Sequence, residues 1–225
     1  MDIGELELTG RAEEIIHILQ KATSGMVQTA VTQVVSEYGR DPFLVLVSCI
    51  LSLRTKDMVS LPASHRLFQL AKNPRDILQL SIEKIEAAIY PVGFYRQKAK
   101  NLHEISRELL QNFGGRVPND ENMLLKLKGV GRKTANLVLA EGFLIPALCV
   151  DTHVHRISNR LGLVKTKTPD QTEEALKKVL PKKYWVEFNK LLVKWGQNIC
   201  VPISPFCSKC PILDLCDQIS VKSKR

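Results

Sequence analysis

The chain offers a membrane nothing to hold. No stretch approaches the roughly 20 apolar residues of a transmembrane helix, and its longest apolar run, Phe43 to Leu53, is broken by Ser48 and Ser52. Met1 to Gly10 carries acidic residues and lacks the apolar centre of an export signal. Also missing are a low-complexity linker, a long internal repeat, sustained heptads, and runs of alternating residues punctuated by hairpin turns. These absences argue against a membrane protein, a secreted protein, a solenoid, a coiled coil and an all-β fold. The expectation is a soluble, intracellular, globular protein and a monomer.

Its 225 residues suffice for one large domain or two small ones with a real core. Thirty-two basic residues against 23 acidic ones give a net charge of +9. Such an excess favours a polyanion, because each neutralised phosphate releases condensed counterions. Of six cysteines, Cys49 and Cys149 lie alone in apolar surroundings, and the other four crowd into Cys200 to Cys216. Without an export signal, that crowd reads as a metal site rather than a disulfide framework.

Helix punctuation dominates the rest. Asp41-Pro42 and Asn73-Pro74 each place a cap residue before a proline at the first helical position. Thr168-Pro169-Asp170-Gln171 adds a glutamine at the third helical position, the pattern of a capping box. Phe43 to Leu53 has the composition of a buried strand, but its length and Asp-Pro start favour a helix. Trp185, Phe188, Leu192, Trp195 and Ile199 fall at helical spacing and read as core. Ser220 to Arg225 reads as a loose, solvated basic tail.

Cys200, Cys207, Cys210 and Cys216 are close enough in sequence to surround one centre, and Pro202, Pro205 and Pro211 keep the intervening backbone irregular. From spacing alone the centre is zinc or a [4Fe–4S] cluster. Upstream, Leu127-Lys128-Gly129-Val130-Gly131-Arg132-Lys133 joins two apolar helical patterns by a tight glycine hairpin. Glycines permit positive φ and close backbone approach, and the amides opening the next helix can face a phosphate. Lys128, Arg132 and Lys133 add charge to that reading. Lys133 falls in the first turn, where the helix dipole disfavours an ammonium, and a neutral amine is what Schiff-base chemistry requires.

Asp151, in Cys149-Val150-Asp151-Thr152-His153-Val154-His155-Arg156, reads both as a helix cap and as a partner for Lys133. A helix over 132–142 climbs roughly 16 Å, and an extended 144–150 can return a similar distance. His153 and His155, two apart, face different sides of a helix and make an improbable metal pair.

The hairpin continued through Thr134-Ala135-Asn136, the Val150-Asp151-Thr152-His153-Val154-His155-Arg156 segment and the cysteine spacing together resemble the endonuclease III family of DNA glycosylases. The resemblance covers 127–216 strongly and runs more weakly back to Asp41. It implies an all-α, two-lobed glycosylase fold: a six-helix lobe over 35–145 carrying the helix-hairpin-helix, and a discontinuous cluster lobe over 1–34 plus 146–225. It implies a [4Fe–4S] cluster on the four cysteines, ordering a basic loop that includes Lys209, and double-stranded DNA across a groove between the lobes. The implied activity is base excision repair: base flipping, attack by Lys133 on the sugar C1′, and β-elimination at the abasic site, with Asp151 assisting. Oxidised pyrimidines such as thymine glycol are the implied lesions. The hairpin residues Lys128, Gly129, Val130, Gly131 and Arg132 would contact the DNA.

Two positions depart from the usual family pattern. Arg54 stands where the family commonly has a glutamine that helps fill the gap left by the flipped base. Phe94 stands where a leucine wedge is common, and reads either as an aromatic wedge or as a loop residue packed on the protein. Both put the opposite-base preference in doubt. A monofunctional adenine-removing relative would lack a lysine at position 133 and add a further domain after the cluster. A non-enzymatic iron–sulfur binder of damaged DNA would share the scaffold, and borohydride trapping separates it from a Schiff-base enzyme.

Overall fold

The computed structural model describes residues 3–225, the side chains of residues 3 and 5 excepted. Met1 and Asp2, which head the segment read for an export signal, lie outside the described residues. Every regular element described is helical. None of these helices is long and apolar enough to cross a membrane. The chain divides into two compact units, one built from 1–27 with 148–225 and the other from 28–147.

The first unit opens with α1 (Ile3–Ala22). Ala12, Ile15, Ile16 and Leu19 of α1 are wholly buried at helical spacing.

The second unit then runs through eight helices. These are α2 (Ala30–Tyr38), α3 (Pro42–Ser52), α4 (Asp57–Leu70), α5 (Pro74–Gln79), α6 (Ile82–Ile89), α7 (Tyr95–Asn112), α8 (Glu121–Leu124) and α9 (Arg132–Phe143). At its centre lies α3, in which every residue from Phe43 to Leu51 is buried. A helix apolar all round must be surrounded, and α2, α4, α7 and α9 supply the walls. Its start is fixed by Asp41, whose carboxylate accepts from the amides of Phe43 and Leu44. Asn73 caps α5 in the same way, through the amide of Asp76.

The chain re-enters the first unit for α10 (Thr152–Arg160), α11 (Pro169–Val179) and α12 (Trp185–Asn198). Phe188, Leu192 and Trp195 of α12 are buried beside Ile16 and Leu19 in one core. Thr168 caps α11 through the amide of Gln171. The glutamine does not close the box on Thr168; its Oε1 accepts from the amide of Lys167, one residue further out.

The last residues correct the expectation of a loose tail. Arg225 donates its amide to Pro205 O, and its own carbonyl accepts from the Ser208 amide. Its guanidinium lies 3.9 Å from the centre of the Phe206 ring. A cation over an aromatic face, joined by two backbone bonds, outweighs the freedom a chain end otherwise keeps.

Candidate active site

Leu124, Leu127 and Val130 are buried and anchor the hairpin between α8 and α9. Gly129 has φ +78, a conformation that favours glycine, and a Cβ there would meet the end of the Asn101 side chain at 2.8 Å. Gly131 is different: it is extended (φ −96) and serves as the N-cap of α9 with no side-chain cap bond. The first α9 amides are therefore not capped by a side chain of Gly131, and the dipole adds positive potential there. Val130 was expected among the DNA contacts, but only 6% of it is exposed, because its side chain is part of the core. Its amide is engaged as well, donating to Leu127 O at 3.0 Å. Lys128 is exposed and pairs with Glu104 of α7 at 2.6 Å. Arg132 and Lys133 are exposed in the first turn of α9.

Asp151 belongs to the first unit and caps α10, accepting from the amides of His153 and Val154 at 2.9 Å each. Its approach is held by the buried Asn189 of α12, which donates to Cys149 O at 2.9 Å. His153 lies against Gly196 of α12, whereas His155 Nδ1 is 2.6 Å from Thr172 Oγ1 of α11. The two rings diverge, as their spacing requires.

No disulfide joins any of the six cysteines. Cys200, Cys207, Cys210 and Cys216 border one cavity, closed on another side by Gln218 and Val221 of the returning tail. Among the described residues, no three His, Cys, Asp or Glu side chains are placed to hold a single metal ion. Burial, then the neighbouring thiolates, push the Cys210 and Cys216 thiols above their usual range. Two thiols so shifted resist ionisation unless a cationic centre shares their cavity. Arg160, almost fully buried, donates to Cys200 Sγ at 3.3 Å, to Val201 O at 2.8 Å and to Pro202 O at 2.6 Å. Arg156 fixes Cys200 O at 2.8 Å. Lys209 is exposed on the turn between two of the cysteines.

Arg54 and Phe94, remote in sequence, are brought together in the second unit. The Arg54 guanidinium lies 5.7 Å from the centre of the Phe94 ring. Both residues have positive φ, 52 and 60, a conformation that side-chain-bearing residues rarely adopt. Phe94 is 64% exposed.

Beneath them lies a group that the sequence reading missed. Lys98 is only 6% exposed and occupies the apolar stripe of α7, four residues before Leu102. Its ammonium donates to Leu51 O, Leu53 O and Thr55 Oγ1. Burial lowers its pKa to about 8. A lysine on an apolar helical face was the available signal.

A helical DNA-repair scaffold is what this fold and hairpin define. The family model described as "HhH-GPD superfamily base excision DNA repair protein" matches residues 47–182. The chain is 48% identical to endonuclease III of Thermotoga maritima over 197 residues, 85% of this chain and 92% of that protein. It superposes with a TM-score of 0.83 and 32% identity on a non-covalent endonuclease III–DNA complex, covering 93% of this chain and 95% of that one. A trapped covalent endonuclease III–DNA intermediate superposes with a TM-score of 0.81 at 32% identity, covering 93% and 96%. The chain belongs to the endonuclease III family of this superfamily.

Proposed function

We propose that this base excision repair glycosylase/lyase removes oxidised pyrimidines from double-stranded DNA, with Lys133 as nucleophile and Asp151 as its proton-handling partner. The observation that carries the reading is Lys133 itself, exposed in the first turn of α9 directly behind the glycine hairpin. The damaged nucleotide leaves the stack at a cost of roughly a few kcal/mol. Lys133 Nζ bonds to the sugar C1′ as the glycosidic bond breaks, and the base departs with the electron pair. Ring opening gives an iminium between C1′ and Nζ. Loss of a C2′ proton then expels the 3′ phosphate, and water releases the lysine. Asp151 accepts the proton that Lys133 sheds and offsets positive charge developing on the sugar.

Backbone amides of Gly129 and Gly131, with the charges of Lys128 and Arg132, grip the phosphates without reading sequence. Arg54 and Phe94 fill the gap in the stack. Cys200, Cys207, Cys210 and Cys216 hold a [4Fe–4S] cluster, which when bound orders the loop that presents Lys209 to DNA. The thiol set and the cavity they share support that assignment. The enzyme acts as an intracellular monomer.

The test is borohydride trapping on a duplex containing thymine glycol, with wild type and Lys133→Gln side by side. Trapping by the wild type alone supports the reading. DNA binding without trapping by the wild type overturns it for this lesion, and an abasic duplex in parallel shows whether the lyase survives.

A further inference from the structure

The Arg54 turn and the Phe94 turn come from different helix ends, yet their backbones are tied together. Gly93 donates its amide to Thr55 Oγ1 at 3.1 Å. A Cβ on Gly93 would sit 2.8 Å from Arg54 O, so the two turns touch backbone to backbone. Thr55 Oγ1 also donates to Leu53 O at 3.2 Å and accepts from Lys98 Nζ at 3.2 Å. One hydroxyl has one donor and two acceptor positions, and all three are used.

Lys98 completes the tie from below. Its Nζ lies 2.9 Å from Leu51 O and 2.5 Å from Leu53 O, carbonyls at the C-terminal end of α3. Leu51 O, in the last turn, has no helical partner and lies at the negative end of the helix dipole, and Leu53 O follows at the cap. An ammonium has three donors, and Lys98 meets three acceptors. Its backbone amide meanwhile bonds Phe94 O at 3.0 Å. One residue therefore holds Phe94 by its main chain and the Arg54 turn by its side chain.

We propose that Lys98 is a positioning residue for base extrusion: it locks the Arg54 and Phe94 turns into a single rigid wedge. The proposal rests on the reading of those two residues as gap fillers. Both turns hold side-chain-bearing residues at positive φ, and such conformations persist only where surrounding contacts impose them. Lys98, Thr55 and Gly93 supply those contacts. Without the clamp the two turns relax separately, and the wedge enters the stack less often. Chemistry at a sugar already outside a helix does not need the wedge and continues.

The experiment uses the holoenzyme and a duplex with 2-aminopurine opposite thymine glycol, whose fluorescence rises when that base is unstacked. Single-turnover base excision is followed on the same duplex, and borohydride trapping on a single-stranded abasic oligonucleotide. For Lys98→Met we expect the fluorescence rise to shrink severalfold and excision to slow by about tenfold or more, with single-strand trapping within about twofold of wild type. A wild-type fluorescence rise in Lys98→Met overturns the proposal. So does a proportionate loss of single-strand trapping, which marks a merely structural role. If Lys98→Met fails to fold, Thr55→Val carries the test, because it removes the shared hydroxyl and leaves the two carbonyl contacts. The same split between duplex and single strand is expected there, and its absence overturns the proposal. Phe94→Ala separates the two levels: if it keeps the full fluorescence rise, the wedge reading itself falls. Loss in Phe94→Ala with retention in Lys98→Met refutes the role of Lys98 alone.

Discussion

Arg160 Nη1 lies 3.3 Å from Cys200 Sγ, so a buried cation on α10 donates to the first of the four crowded cysteines. The same guanidinium holds the carbonyls of Val201 and Pro202. Replacing it by methionine keeps the bulk and strands these acceptors. Arg160→Met is expected to lose about 2–3 kcal/mol of stability, measured by urea unfolding. It should also purify with less iron per chain and a weaker visible absorption band. Full iron content in this variant would show that the loop closes without the arginine.

Asp151 carries two roles that substitutions can separate. Asn caps helices about as well as Asp, whereas Ala forfeits about 1 kcal/mol. Asp151→Asn should therefore unfold within a few tenths of a kcal/mol of wild type, while single-turnover excision falls about 100-fold or more. Asp151→Ala should lose both. Activity that follows stability through the two variants would reduce Asp151 to a cap.

Lys98 predicts a slope in stability against pH. Its folded pKa is about 8, below the roughly 10.4 of a solvated lysine. Between those values the unfolded chain binds more protons, so this group's contribution rises with pH across that window. It is fully present above the unfolded value and is lost as pH falls through the folded one. Urea midpoints of wild type and Lys98→Met compared between about pH 8 and about pH 10 should show that the extra rise belongs to wild type. Parallel curves would sink the assignment.

The tail makes a prediction about access to the cysteines. Val221 and Gln218 border their cavity, and Arg225 pins the segment to Phe206 and to Ser204 O. Deleting 220–225 should leave helical content unchanged and let an iron chelator bleach the visible band severalfold faster. Arg225→Ala should lie between wild type and the deletion. Equal bleaching rates in all three proteins would mean that solvent reaches the cysteines by another route.

The contacts that could be read in advance were short-range. Asp41, Asn73 and Thr168 announced their helices because a cap acts within three residues of itself. Asp151 was legible as a cap for the same reason. Gln171 was misassigned by one residue, because a long side chain can serve either of two adjacent amides. Lys98 escaped because its carbonyl partners lie 45 and 47 residues away, and local periodicity carries no record of such pairs. The tail escaped likewise: nothing within 220–225 names Pro205 or Phe206 as its resting place. Val130 was misjudged because a motif gives the residues at an interface without saying which side chains turn inward.

That inward turn of Val130 leaves the tip of the hairpin with no apolar side chain turned to solvent. What the loop presents instead is main chain at two glycines and the charges of Lys128 and Arg132. A substitution that turned a side chain at position 130 outward would also withdraw an anchor from the core, so the shape of the loop and the surface it presents are set by the same residue.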